Sequence, residues 1–147
     1  MDVSIVIPVF NERDNLRPLH AELTAAMARL GRRYEIVYVD DGSTDGSRDV
    51  LRRIHAEDAS VRLLVFRRNF GQTAAVAAGF RHTRGDIVVT LDGDLQNDPA
   101  DIPMMVAKLE EGYDLVSGWR RDRKDDFFLR RLPSLIANWV IRLATNV

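Results

Sequence analysis

Short apolar runs alternate along this chain with longer stretches in which apolar positions recur every third or fourth residue. The runs VSIVIPV (3–9), YEIVYVD (34–40), VRLLVF (61–66), DIVVTLD (86–92) and YDLVSG (113–118) are too short for helices and rich in β-branched residues, which predicts strands. Between them, 15–29, 44–57, 72–82 and 99–111 carry apolar residues at helical spacing. The last of these begins with Asp98 as N-cap and Pro99 at the first helical position, a start signal for a helix. In DDGSTDGS, Ser43, Thr44 and Asp45 read as caps of the second helix, with Gly42 and Gly46 supplying turn conformations.

Strands this apolar, alternating with helices, imply an α/β fold whose mostly parallel sheet is covered on both faces. Such a sheet places ligands at the carboxyl ends of its strands. The polar clusters NERDN, DDGSTDGS, RRNFGQ and DGDLQND each follow a strand directly, so four loops are expected to converge on one edge of the sheet. Composition shifts after Gly118, which divides the chain into a core of residues 1–118 and a basic segment of residues 119–147.

Composition narrows the chemistry. With 147 residues, 46% hydrophobic and 29% charged, the chain has the profile of one soluble globular domain. A formal net charge of -1 supplies no overall field to recruit nucleic acid. The absence of cysteine excludes disulfides and thiolate metal sites, leaving oxygen ligands and a hard cation, Mg2+ or Mn2+. Asp2 stands where a signal peptide carries positive charge, and no apolar run approaches the roughly 20 residues of a membrane span. The chain is therefore expected in the cytoplasm and is not expected to cross a membrane itself.

Within the loops, Asp92, Asp94 and Gln96 are two residues apart; in an extended stretch their side chains share one side, a set suited to an octahedral cation that keeps waters or takes diphosphate oxygens. Asp40 and Asp41 at the end of the second strand can accept from a base N–H or from ribose hydroxyls. No GxGxxG follows the first strand, which argues against a dinucleotide-binding dehydrogenase. The alanines and Gly79 of RRNFGQTAAVAAGF read as structural, letting a helix lie close on the sheet, and Arg67, Asn69 and Gln72 as supporting residues near an anion. His20, His55 and His82 share no ligand spacing and read as surface residues.

The ordered motifs SIVIPVFNE, VDDGSTDGS, RNFGQTAAVAAGF, LDGDLQNDP and GWRRDR resemble those of the family 2 glycosyltransferases, in particular the polyprenyl-phosphate branch related to dolichyl-phosphate mannose synthase and bacterial undecaprenyl-phosphate glycosyltransferases. The resemblance runs from Val3 to the end of the chain. It implies a GT-A fold, a UDP- or GDP-linked sugar donor, a divalent cation and a polyprenyl phosphate acceptor at the inner face of the cell membrane. It further implies that Pro8, Asn11 and Glu12 line the nucleotide pocket, with Asp40 and Asp41 on base or ribose. Asp92 would lie near ribose and metal, while Asp94 and Gln96 would ligate the ion. Arg120 is expected on a donor or acceptor phosphate, and so are Arg123 and Arg130 or Arg131; Asp92, Asp94 and Arg120 would form the catalytic set.

An acceptor phosphate is already an anion at neutral pH and needs cations rather than a base. After Gly118 the chain carries seven basic side chains against three acidic ones. A transferase acting on a carbohydrate hydroxyl would instead need a base, for which Asp125 and Asp126 are the available carboxylates. A third reading is a truncated, inactive module that binds nucleotide or membrane. Leu132, Leu135, Ile136, Trp139, Val140 and Leu143 recur at helical spacing, predicting over 133–147 an amphipathic helix that lies on a bilayer or packs on the domain's own sheet or a second copy of the chain. Branch members that continue into further sheet and transmembrane helices lead us to expect a longer parent protein.

Overall fold

Four parallel strands in the order β3-β2-β1-β4 form the sheet in a computed structural model of the protein. The structure describes residues 1–118. Residues Met1–Val116 form one compact unit. In chain order its elements are β1 (Val3–Val9), α1 (Leu16–Leu30), β2 (Tyr34–Asp40), α2 (Ser47–Glu57), β3 (Val61–Val65), α3 (Gln72–Arg81), β4 (Ile87–Thr90) and α4 (Ile102–Glu110). All strands point the same way, so the loops after β1, β2, β3 and β4 leave from one end of the sheet, as the strand–helix alternation predicts.

Alternation along the central strands sorts the core into two layers. Ile5, Ile7, Ile36 and Tyr38 face α1 and α2, joined by Leu16, Leu19, Leu23, Leu51 and Ile54, and by Ile102 and Val106 of α4. Val6, Val37 and Val39 face the other way, against Ala75 of α3. That second layer is thin because α3 lies almost on the sheet. A Cβ added at Gly79 would stand 2.3 Å from Val6 Cγ1, so the small residues of this helix are structural, as expected.

Three local differences from the sequence-based expectation have physical causes. The second helix starts at Ser47 rather than 44, because Gly42 (φ 75°) and Gly46 (φ 97°) take left-handed backbone angles that an α-helix cannot include, so the helix begins only after Gly46. Asp98 caps as predicted, accepting from the Ala100 N–H at 2.8 Å, but the first turn, Pro99–Asp101, is a tighter 3-10 turn. Pro103 has no N–H to donate to Pro99 O, and Ile102 N–H takes that oxygen instead. Residues 113–118 form no strand: Leu115 is 83% exposed and no strand among the described residues forms a ladder with this stretch.

Candidate functional site

The loops after β1 and β2 are sewn together before they meet any ligand. Asn11 N–H donates to Ser43 Oγ at 3.0 Å, Glu12 N–H to Ser47 Oγ at 2.9 Å, and Arg13 N–H to Asp45 Oδ2 at 3.1 Å. In return Thr44 N–H donates to Asn11 Oδ1 at 2.8 Å. Asn11 adopts φ 58°, a left-handed conformation that asparagine tolerates better than most residues. Its amide oxygen thus ties two loops, and it is not among the residues on the cavity wall. Asp45 caps α2 through the Ser47 N–H and hydroxyl, at 2.9 and 2.6 Å, where Ser43 and Thr44 serve the β1 loop instead. Burial works to raise the Asp45 pKa, but the Ser47 bonds and the Arg13 N–H outweigh it and hold the carboxyl below its ordinary value.

Asp40 and Asp41 are adjacent and play different parts. The Asp40 side chain is wholly buried, accepting from Arg48 Nε at 2.7 Å and from Ser43 N–H at 2.9 Å. Arg48 also donates to Phe66 O at 3.1 Å, so the pair clasps the ends of β2 and β3. Asp40, expected on base or ribose, is buried in this pairing and is not among the residues that line the cavity. Asp41, next along the strand direction, turns to the wall and accepts from the Phe70 and Gly71 N–H groups at 2.8 and 2.9 Å.

At the carboxyl end of the sheet lies an open cavity of about 320 Å³, lined by Pro8, Val9, Phe10, Glu12, Asp41, Asn69, Gln72, Asp92, Gly93 and Asp94. Every one of the four predicted loops contributes to it. Among the residues singled out from sequence, Pro8, Glu12, Asp41, Asp92 and Asp94 meet here, with Asn69 and Gln72 beside them. Arg67 is not on the wall. Val9, Phe10 and Gly93 went unrecognised, and the signal for all three was position: each directly adjoins in sequence a residue already singled out, Pro8, Asn11 and Asp92.

Each wall carboxylate is oriented by a neighbour. Glu12 Oε2 accepts from Asn15 Nδ2 at 2.6 Å, and Asp92 Oδ1 accepts from Gln72 Nε2 at 2.8 Å. Asp94 Oδ1 accepts from the Gln96 N–H at 3.0 Å, closing a turn. That turn corrects the extended phase expected of Asp92, Asp94 and Gln96. Leu95 sits at φ 58°, so alternation fails beyond Asp94, and Gln96 is absent from the wall. Among the described residues no group of three or more His, Asp or Glu side chains stands at metal-ligand spacing. Asp92 and Asp94, two of the four carboxylates on the wall, offer oxygen donors of the kind that fit Mg2+ or Mn2+, ions that complete their shell with water and substrate phosphate.

Away from the cavity, His20 is a second correction. Rather than lying on the surface, its ring packs between elements, with Nε2 at 3.3 Å from Asp58 Oδ2 and Nδ1 at 3.4 Å from the Tyr38 hydroxyl. Burial lowers its pKa, and this outweighs the attraction of Asp58. His55 and His82 are exposed, each with its ring Nδ1 against a backbone carbonyl, Val61 O and Ala78 O. Arg120, Arg123, Arg130 and Arg131, the alternative bases Asp125 and Asp126, and the expected helix over 133–147 lie outside the described residues. No helix among the described residues is long and apolar enough to cross a membrane.

Residues 4–146 match the model of glycosyl transferase family 2. Dodecaprenyl-phosphate galacturonate synthase of Rhizobium johnstonii is 46% identical over 149 residues, covering 100% of this chain and 44% of that protein. Undecaprenyl-phosphate 4-deoxy-4-formamido-L-arabinose transferase of Shewanella sediminis is 48% identical over 146 residues, covering 99% of this chain and 44% of that protein. The chain thus spans less than half the length of these curated relatives. Among solved structures, the mannosyltransferase PcManGT from Pyrobaculum calidifontis, in complex with GDP-Man and Mn2+, superposes with a TM-score of 0.62 at 25% identity, over 71% of this chain and 31% of that one. S. aureus TarS 1-349 in complex with UDP shares the fold, with a TM-score of 0.60 at 17% identity over 85% of this chain and 40% of that one.

Proposed function

The chain belongs to the family 2 glycosyltransferases and has their GT-A fold, and from that premise we propose that the protein moves a sugar from a nucleoside-diphosphate donor to a polyprenyl phosphate at a membrane surface. The observation that carries this reading is the acidic cavity at the strand ends, where Glu12, Asp41, Asp92 and Asp94 come together from three loops. Carboxylates crowded on one wall repel one another, and a site built this way suits a ligand that arrives with cations rather than a bare anion. The two curated relatives bear names that specify polyprenyl phosphates, dodecaprenyl in one and undecaprenyl in the other.

In this reading Asp92 and Asp94 hold the divalent cation, and Pro8 and Glu12 flank the nucleoside. A cation bound there would neutralise charge developing on the diphosphate as it leaves. An acceptor phosphate oxygen attacks the anomeric carbon, the bond from that carbon to the diphosphate oxygen breaks, and the nucleoside diphosphate departs with the electron pair. A single displacement of this kind inverts the anomeric centre. Arg120, with Arg123, Arg130 and Arg131, is assigned to the phosphates, because the planar guanidinium grips two phosphate oxygens at once. The same basic stretch and the apolar spacing of 132–143 suit approach to an anionic lipid surface. Calorimetric titration of the full-length protein with UDP- and GDP-sugars, followed by a turnover assay on a short-chain polyprenyl phosphate, tests the proposal. Nucleotide binding without any transfer to the lipid phosphate would overturn it.

A further inference from the structure

We propose that Asp41 is a positioning residue that acts through Gln72 on Asp92. Its functional meaning rests on the proposed role of Asp92 at the donor, yet its geometry stands apart from that role. Asp41 is 2% exposed and its carboxylate takes both the Phe70 and Gly71 N–H groups, at 2.8 and 2.9 Å. These are charge-assisted bonds to consecutive amides, a geometry that fixes a loop in two directions. The loop is held from below as well. A Cβ at Gly42 would stand 2.3 Å from Arg68 C and 2.5 Å from Asn69 N, so the backbone of 68–69 rests directly on the backbone after Asp41.

The clamped loop leads straight into α3. Gly71 adopts φ 93° and the helix opens with Gln72, whose side-chain amide donates to Asp92 Oδ1 at 2.8 Å. Gln72 is itself exposed and Asp92 half-buried, so no surrounding core holds the two together. Their alignment depends on where the backbone at 70–72 is placed, and the Asp41 carboxylate places it. The chain of contacts therefore runs from the end of β2, across the loop after β3, to the loop after β4. It joins three of the four loops of the cavity without using a buried side chain other than Asp41.

Amide hydrogen exchange on the full-length protein, without ligand, reads this relay directly. Asp41→Asn replaces one acceptor by a donor that faces an N–H. It is expected to speed exchange at Phe70 and Gly71 about tenfold or more, and exchange over 91–95 about two- to tenfold, the worth of one net hydrogen bond. Gln72→Ala is expected to speed exchange over 91–95 to a similar extent while Phe70 and Gly71 keep the parent rates. The double variant should add nothing over 91–95. Parent rates through α1 and β2 in all variants separate the relay from general loosening. Unchanged exchange over 91–95 in Gln72→Ala, or additive effects in the double variant, would overturn the inference. Because Gln72 is exposed, that arm reads out even if Asp41→Asn fails to fold. A UDP and GDP titration of the same variants keeps the two readings distinct: if the parent binds neither nucleotide, the donor site fails while the relay still stands or falls on the exchange rates.

Discussion

Asp40 and Arg48 form an ion pair at 2.7 Å beneath the cavity, one residue before the carboxylate that reaches the wall. Adjacent residues on a strand point to opposite sides, so a doubled acid at a strand end divides into a structural and a facing member. The Asp40 side chain is fully buried, whereas that of Arg48 is 31% exposed.

From this pair we expect Asp40→Asn to cost about 2–4 kcal/mol of folding stability, short of the roughly 3–5 kcal/mol of a wholly buried pair, because Arg48 can rehydrate. Chemical denaturation measures the loss. Nucleotide affinity, expressed per folded molecule below the transition, should stay within about twofold of the parent. A large loss of affinity with unchanged stability would return Asp40 to the ligand.

Asp94→Asn should leave stability within about 0.5 kcal/mol, because Asp94 is half-exposed and asparagine still accepts from the Gln96 N–H. Transfer should fall by more than about 100-fold, beyond what loss of a mere supporting partner of a metal ligand costs. Steady-state rates at saturating Mg2+ or Mn2+ decide the matter, and near-parent turnover would remove Asp94 from the metal.

Arg120→Lys preserves charge and removes the planar fork. A loss of about tenfold or more in kcat/KM is expected, with the same salt dependence as the parent. Equal rates for the two proteins would put Arg120 on a solvated surface.

The pH dependence of stability should carry the signature of His20. Burial lowers its pKa from the ordinary 6.5, with Asp58 and Glu57 working to raise it and Arg17 to lower it. The unfolded chain then binds more protons than the native one between the lowered value and 6.5, so stability is full above 6.5 and declines as pH falls through that window. The slope is at most about 1.4 kcal/mol per pH unit for one such group. Thermal unfolding between about pH 7.5 and 5 checks it, and His20→Gln should flatten the curve.

The contrast between these residues shows what the letters of the sequence carry. β1 and β2 are found at their predicted bounds because a parallel strand buried on both faces is a continuous apolar run. The convergence of the loops followed from parallel strands alone. The second helix begins late because backbone angles at Gly42 and Gly46, invisible as hydrophobic pattern, decide where it can start. YDLVSG has the composition of a strand, but strands exist only with a partner, which composition does not supply. The place of Asp92 and Asp94 on the cavity wall was legible from their position after a strand, whereas the extended phase expected of Gln96 breaks where Leu95 turns left-handed. The Asp41 carboxylate also accepts from two backbone amides, a contact between segments 29 and 30 residues apart that no local motif encodes.

The most direct test of the central claim is turnover by the full-length protein on a short-chain polyprenyl phosphate, with a nucleoside-diphosphate sugar and Mg2+ or Mn2+, following both products. The account predicts one lipid-linked sugar for each nucleoside diphosphate released, with the anomeric centre inverted, and loss of both products in Asp94→Asn. Transfer to a carbohydrate hydroxyl while the polyprenyl phosphate stays unmodified would contradict it.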